Sequence, residues 1–397
     1  MACTVAVQCV PHNHVPLNLL RRARDSCFEV LGRLRFLLSA RAPTYGEHRG
    51  KFLSAEPSHR GSPLQRLPLV TFYLTERCNS RCVTCDYWRH GRIDMTLERL
   101  TRLLPSLCRL QTRVALLSGG EPLLNPEWPQ MAQQLRDNGQ QVWLLTAGLA
   151  LAKHARRVAQ LFDAVTVSLD GTNSATYAAI RGLDAFDKVC EGIRLATDEG
   201  ASVGVRVTLQ RANYRELPLF VEVAREAGAR QVSFLAVDVA NPHAFGRNDD
   251  SRPDVALRAD DLTELERLIA ALERSNADDF RSGFIAESPQ KLRRLLQYFA
   301  AVNGAGAYPP VRCNAPEFSA VVGVNGHVQP CFFIPGPLDS PAHPDLDDSL
   351  NSDVMTALRA DIREQRRPEC ARCVCSMWRS PATFADADFL LARQAAA

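Results

Sequence analysis

From Leu69 onward, short β-branched or leucine-rich runs alternate with longer stretches of helical period, and this rhythm constrains the fold more than any other feature of the chain. Six runs read as strands: Val70–Thr75, Val114–Ser118, Val142–Thr146, Val165–Asp170, Val203–Leu209 and Val232–Val237. A candidate helix follows each, and the repeat of about thirty residues is what a parallel crossover unit requires. Runs apolar at nearly every position are buried on both faces, as the strands of a covered parallel sheet are. Periodicity leaves open whether the sheet is doubly wound or curled into a barrel. After the sixth strand comes a polar, proline-containing loop at Asn241–Asp254, then helices at Asp260–Arg274 and Pro289–Val302. The cysteine-rich tail, about Pro310–Trp378, has little regular periodicity and is expected to owe its order to metal rather than to a large apolar core.

At 397 residues the chain is long enough for two or three units. The part before the first strand reads as a separate segment. It holds one amphipathic helix near Leu19–Ala40, with Leu20, Cys27, Leu31, Leu34 and Leu38 on one side and Arg21, Arg22, Arg24, Arg33 and Arg35 on the other. Such a helix can pack on its own domain, lie on a membrane or bind a partner. Ala42–Pro68, rich in Pro, Gly and Ser, reads as a linker. Lysine plus arginine number 47 and aspartate plus glutamate 44, a net charge of +3 that demands no nucleic-acid partner. No secretory signal and no transmembrane run of about twenty apolar residues is read, so a cytoplasmic location is expected. In a reducing compartment, thirteen cysteines point to metal binding, and their spacing matters more than their number.

Three of them, Cys78, Cys82 and Cys85, lie on one loop leaving the first strand. Thiolates with gaps of three and two residues can each reach a separate iron of a cubane, leaving the fourth iron open for chemistry. Structural zinc wants four ligands in paired spacing, and neither Asp86 nor His90 supplies a recognised set. At the end of the second strand stands Ser118-Gly119-Gly120-Glu121-Pro122, where glycine lets the backbone approach closely and Glu121 can accept bonds from a ligand ammonium.

The CxxxCxxC loop, Tyr87 just after it and the GGEP turn one unit later together resemble the radical S-adenosylmethionine (SAM) superfamily. The likeness extends to Ser168-Leu169-Asp170-Gly171, similar to the family's turn near the ribose and methionine of SAM, and to Arg181-Gly182. One departure is Thr146-Ala147-Gly148, where the family often has Thr-Asn-Gly, so contact there falls to Thr146 or the backbone. The resemblance implies an α/β fold: a partial (β/α)6 TIM-type barrel, with an N-terminal helical segment and a small cysteine-rich C-terminal auxiliary-cluster domain. Its implied boundaries are 1–66, 67–258 for the barrel, 259–309 for a helical connection and 310–397 for the tail. It implies a [4Fe-4S] cluster on Cys78, Cys82 and Cys85 whose open iron takes SAM. Cofactor-binding roles would fall to Tyr87, Gly119, Gly120, Glu121, Pro122, Thr146, Ser168, Asp170 and Arg181. One electron would then cleave SAM to methionine and a 5′-deoxyadenosyl radical that abstracts hydrogen from a substrate, the protein supplying position and dryness.

The tail holds Cys313, then Gly326-His-Val-Gln-Pro-Cys331, then Cys370-Ala-Arg-Cys373-Val-Cys375. A hairpin at Asn325-Gly326 would bring Cys313 and Cys331 together. This pattern resembles the SPASM or twitch extensions that bind an auxiliary [4Fe-4S] cluster, which implies Cys313, Cys331, Cys370 and Cys373 as ligands with Cys375 as a substitute. A four-cysteine zinc site is the alternative. In function the resemblance implies oxidation or modification of a small metabolite; the alternatives are a peptide- or protein-modifying maturase and a non-catalytic iron–sulfur scaffold. The electron donor would be flavodoxin or ferredoxin. Arg206, Gln210, Asp238 and Asn241 lie at or near strand ends where substrate could sit.

Overall fold

A computed structural model of the chain describes residues 63–241, 244–247, 253–335 and 345–384. The helix expected at Leu19–Ala40 and most of the linker lie outside these residues. All described residues belong to the compact unit Pro63–Ala397.

Strands form at all six expected runs: β1 (Leu69–Tyr73), β2 (Val114–Ser118), β3 (Gln141–Thr146), β4 (Ala164–Ser168), β5 (Val203–Leu209) and β6 (Gln231–Ala236). They pair in parallel in the order β6-β5-β4-β3-β2-β1. β1 and β6 do not meet, and the sheet is the open, partial barrel that the family resemblance implies, an outcome the strand–helix rhythm left open. Helices α1 (Leu97–Arg109), α2 (Trp128–Asp137), α3 (Leu151–Leu161), α4 (Ser174–Arg181), α5 (Phe186–Asp198) and α6 (Leu217–Glu226) lie along the chain between or after these strands. Their amphipathic patterns explain why they cover the sheet. In α1, Leu100, Leu103 and Leu107 are buried on one side, and Thr96 caps the helix by accepting from Arg99 N at 3.2 Å. Helices α7 (Leu262–Ser275) and α8 (Pro289–Val302) follow close to the predicted positions, α8 opening with Pro289 behind a Ser288 cap.

Three strands stop short of the apolar runs that announce them. Leu74 and Thr75 leave β1 because Thr75 turns to bridge Asp94, and Asp170 leaves β4 because its carboxylate is used sideways, accepting from Thr208 N at 2.7 Å. Val237 lies just past the end of β6.

The tail departs further from expectation. Strand β7 (Ser319–Val322) joins the barrel sheet, pairing in parallel with β1 from Leu69↔Ser319 to Phe72↔Val322. Strand β8 (Val328–Gln329) returns antiparallel through the Asn325-Gly326 turn, with Gly326 at φ 89°. Ala320, Val322, Val324 and Val328, with Leu346 and Leu350 of α9 (Leu346–Asn351) and Met355 of α10 (Asp353–Arg363), share the barrel's own apolar core. The order of this part of the tail therefore comes from apolar burial, because four consecutive buried residues give β7 a place beside β1. Near the other end, Leu67 is fully buried and Leu64 N donates to Asn351 Oδ1 at 2.6 Å, so the last residues of the expected linker are packed.

Phe72 sits fully buried between β2 and β7. Phe72→Ala is expected to cost about 3–5 kcal/mol, read as a lower denaturant midpoint with an unchanged slope.

Candidate active site and the second cysteine set

The first cysteine loop is held from both sides by backbone contact. Gly120 N donates to Thr75 O and Glu121 N to Arg77 O, both at 2.8 Å. A Cβ on Gly120 would stand 2.2 Å from Arg77 O, and Gly119 takes φ 120° with its Cβ position 2.5 Å from Thr75 O. Only glycine fits either place. Buried Asn125 adds two bonds from its amide, to Leu74 O at 2.7 Å and Met95 O at 2.9 Å. Arg77 reaches across to the Asp94 carboxylate and donates to Leu124 O at 2.7 Å, anchoring the residue before Cys78.

Beyond the first cysteine, the C-terminal turn of α4 takes over. Arg81 N donates to Arg181 O at 2.9 Å and Val83 N to Ile180 O at 3.0 Å, so the loop satisfies carbonyls that a helix end leaves open. Gly182, at φ 74°, closes on Arg81 O, where a Cβ would lie at 2.4 Å. Arg181 then points under the loop, pairing with Asp170 at 2.9 Å and placing Nη1 3.4 Å from Cys82 Sγ. Burial alone would weaken its charge; Asp170 and Cys82 beside it reverse that, and the guanidinium is held firmly protonated.

The structure thus brings Cys78, Cys82 and Cys85 together with Glu121, Asp170 and Arg181. Burial pushes the Cys78 thiol up to about 11 and Cys85 to about 12, with the neighbouring thiols adding to it. Glu121 is wholly buried, and its carboxylate serves the next strand: Thr146 Oγ1 lies 2.7 Å from it, Ala147 N donates at 2.7 Å and Leu123 N at 3.2 Å. Its pKa is raised by burial against the pull of those bonds. Pro122 is buried behind it, and Ser168 is half-buried at the end of β4. Tyr87 packs edge-on against Tyr73 at 5.8 Å, and burial lifts its hydroxyl to about 12.

A second support, absent from the motif reading, comes from the far edge of the barrel. Arg247, whose side chain is fully buried, donates to Asp238 O at 2.6 Å and to Thr84 O at 3.3 Å inside the cysteine loop. Phe245 O accepts from Asp86 N at 2.9 Å, and Asn241 donates to Phe333 O at 2.7 Å, two residues past Cys331. Asp238 and Asn241, read as candidate substrate contacts, are thereby buried parts of a link between the two cysteine sets. Its charged and aromatic members lie in irregular backbone after β6, where periodicity carries no signal.

All five tail cysteines, Cys313, Cys331, Cys370, Cys373 and Cys375, line one pocket whose other walls include Phe332, Phe333, Ile334, Ile362 and Met377. Burial raises the Cys313 thiol, lifts Cys331 to about 12 and Cys370 to about 11, and raises Cys373 further. Among the described residues, no three His, Cys, Asp or Glu side chains converge on one metal-ion position. Both donor sets suit a cluster chemically, being half-buried soft thiols, and in the first set amide and guanidinium donors face sulfur at Ser80 N to Cys78 and Arg181 to Cys82.

Residues 72–224 match the model of the radical SAM superfamily. Over that stretch the chain is similar to a radical SAM domain. Members of this superfamily use a [4Fe-4S] cluster and SAM. Among similar curated proteins, Fe-coproporphyrin III synthase of Methanosarcina barkeri is 30% identical over 207 residues, 50% of this chain and 51% of that one. Pre-heme d1 synthase of Dinoroseobacter shibae is 29% identical over 231 residues, 56% of each. The chain spans about half the length of these curated relatives. Among solved structures, Streptococcus suis SuiB bound to precursor peptide SuiA superposes with a TM-score of 0.57 at 14% identity, over 75% of this chain and 68% of that one, a likeness of fold. Among the described residues, no helix is long and apolar enough to cross a membrane.

Gly120→Ala forces the Thr75–Arg77 segment away from the GGEP turn. The variant is expected to lose most of any iron taken up by the first cysteine set and to keep that taken up by the tail, seen by metal analysis after anaerobic reconstitution, with a stability loss of about 1–3 kcal/mol.

Proposed function

We propose that the chain is a radical SAM enzyme that reductively cleaves SAM and abstracts a hydrogen atom from a small metabolite of the tetrapyrrole class. The observation that carries this reading is the pairing of two half-buried thiol sets on either side of a run of aromatic rings. Tyr73 packs edge-on against Tyr87 near Cys85 on one side and lies 6.4 Å, ring to ring, from Phe332 beside Cys331 on the other. Phe245 and Phe333 make a further edge-on aromatic contact at 5.6 Å. A flat conjugated macrocycle presents large faces to such rings, and two relatives bear names of tetrapyrrole enzymes.

In this reading Cys78, Cys82 and Cys85 hold the cluster that binds SAM, which when bound supplies the electron for sulfonium cleavage. Cys313, Cys331, Cys370 and Cys373 hold an auxiliary cluster, with Cys375 as the substitute. The chain's own contribution is positional. Gly119, Gly120 and Gly182 clamp the loop, Arg181 sets a positive charge against the thiolates, and Glu121 with Thr146 fixes the ends of β2 and β3 where SAM would lie. Ser168 is assigned to the SAM surface because it stands half-buried at the C-terminal end of β4, the catalytic end of barrels of this kind, and Tyr87 because it stands half-buried just after the cysteine loop. Flavodoxin or ferredoxin would be the electron donor.

Protein purified without oxygen and reconstituted is expected to carry about eight irons per chain, falling to about four in a Cys78→Ala/Cys82→Ala/Cys85→Ala variant. Dithionite plus SAM should yield 5′-deoxyadenosine from wild type and none from the variant. Full clusters without any 5′-deoxyadenosine would instead make the chain a scaffold, and about four irons with one zinc would make the tail a single-ion site.

A further inference from the structure

In a barrel, alternate side chains of each strand face the helices and the interior. β5 shows the division: Val203, Val205, Val207 and Leu209 are buried in the core, while Gly204, Arg206 and Thr208 are half-buried on the other face. The pairing sets Arg206 opposite Ser168 of β4 and Ser233 of β6. These three form one interior row at the level of the Ser168-Leu-Asp-Gly turn. Following the registers across β1 to β6, every other strand residue on the interior face is uncharged.

The surroundings of Arg206 leave its charge largely unanswered. Nε donates to Ser233 Oγ at 3.2 Å, a neutral partner. Glu287 is close enough to feel the guanidinium, but its Oε2 accepts from Phe234 N at 2.7 Å and its Oε1 lies 3.8 Å from Lys291 Nζ. Arg206 itself has no carboxylate within ion-pair distance among the described residues. A planar guanidinium half withdrawn from water gains most from a bidentate oxyanion.

We propose that Arg206 is the substrate's carboxylate anchor, with the hydroxyls of Ser168 and Ser233 flanking it, and that the substrate is therefore a carboxylated molecule entering the barrel acid-first. This rests on the tetrapyrrole reading above and adds to it the group that is held and the residue that holds it. Ser168 then faces both SAM and substrate, so the anchored end of the substrate lies next to the site of radical formation.

The test uses the full-length, reconstituted protein with SAM and two probes, coproporphyrin III and its uncharged tetramethyl ester, titrated anaerobically by porphyrin fluorescence. Arg206→Gln keeps a donor for Ser233 and removes the charge; Arg206→Lys keeps the charge and removes the fork. Coproporphyrin III should bind Arg206→Gln about 10- to 100-fold more weakly than wild type, Arg206→Lys should fall between, and the ester should bind wild type and Arg206→Gln alike. Thermal unfolding of each variant checks its fold. Equal affinity of wild type and Arg206→Gln for the acid, or the same loss for acid and ester, would overturn the anchor while leaving the tetrapyrrole reading standing. Failure of wild type to bind either probe would overturn both.

Discussion

Everything at this site depends on backbone meeting backbone without a side chain between. The cysteine loop has few apolar anchors of its own, and three thiols on eight residues must be held in one arrangement. The chain achieves this by pressing main chain on main chain: Gly120 on Arg77 from β2, Gly182 on Arg81 from α4, and Gly246 against the backbone of Tyr87 from beyond β6. Contacts of this kind are short and stiff because no rotamer intervenes, and each also answers an amide or carbonyl that would otherwise be stranded. The two signature motifs are therefore as much a brace for the loop as a surface for a ligand.

Around this brace the barrel places two buried arginines, Arg181 and Arg247, each beside an aspartate of a neighbouring strand end, Asp170 and Asp238. Burying such pairs gives little stability in itself, since desolvation offsets most of the attraction. Their value is directional. Arg181 turns a donor toward a thiol, and Arg247 turns one toward the carbonyl of Thr84, so positive charge is fixed beneath a loop that is to carry thiolates. Arg206 differs from both: its strand neighbours are serines.

The six parallel strands were legible because each is a largely apolar run of five to seven residues buried by helices of clear amphipathic period, while the curl into a barrel came only with the motif resemblance. The cysteine loop and GGEP turn were legible because glycine and cysteine at fixed spacing serve few other purposes. β7 was not, since Ser319-Ala-Val-Val is too short to show a period and its partner lies far away in the chain. Nor was the work of Glu121 or Asp170: a carboxylate at a strand end reads as a ligand contact, and only the fold reveals that Ala147 N and Thr208 N reach it first. The link through Asn241, Phe245 and Arg247 was invisible for the same reason, being built from irregular backbone and single residues.

The pairing of β7 with β1 has a bearing on how the molecule comes into being. β1 leads directly into the cysteine loop, yet one edge of it stays without its strand partner until residues about 250 positions later have been made. At ribosomal speeds of about 5–20 residues per second, that is roughly ten to fifty seconds during which a nascent chain holds a bare parallel edge next to the three thiols of the loop. The same tail that seals the edge brings the second set of thiols. Completion of the sheet and arrival of the second thiol set thus both belong to the last fifth of the chain to be made.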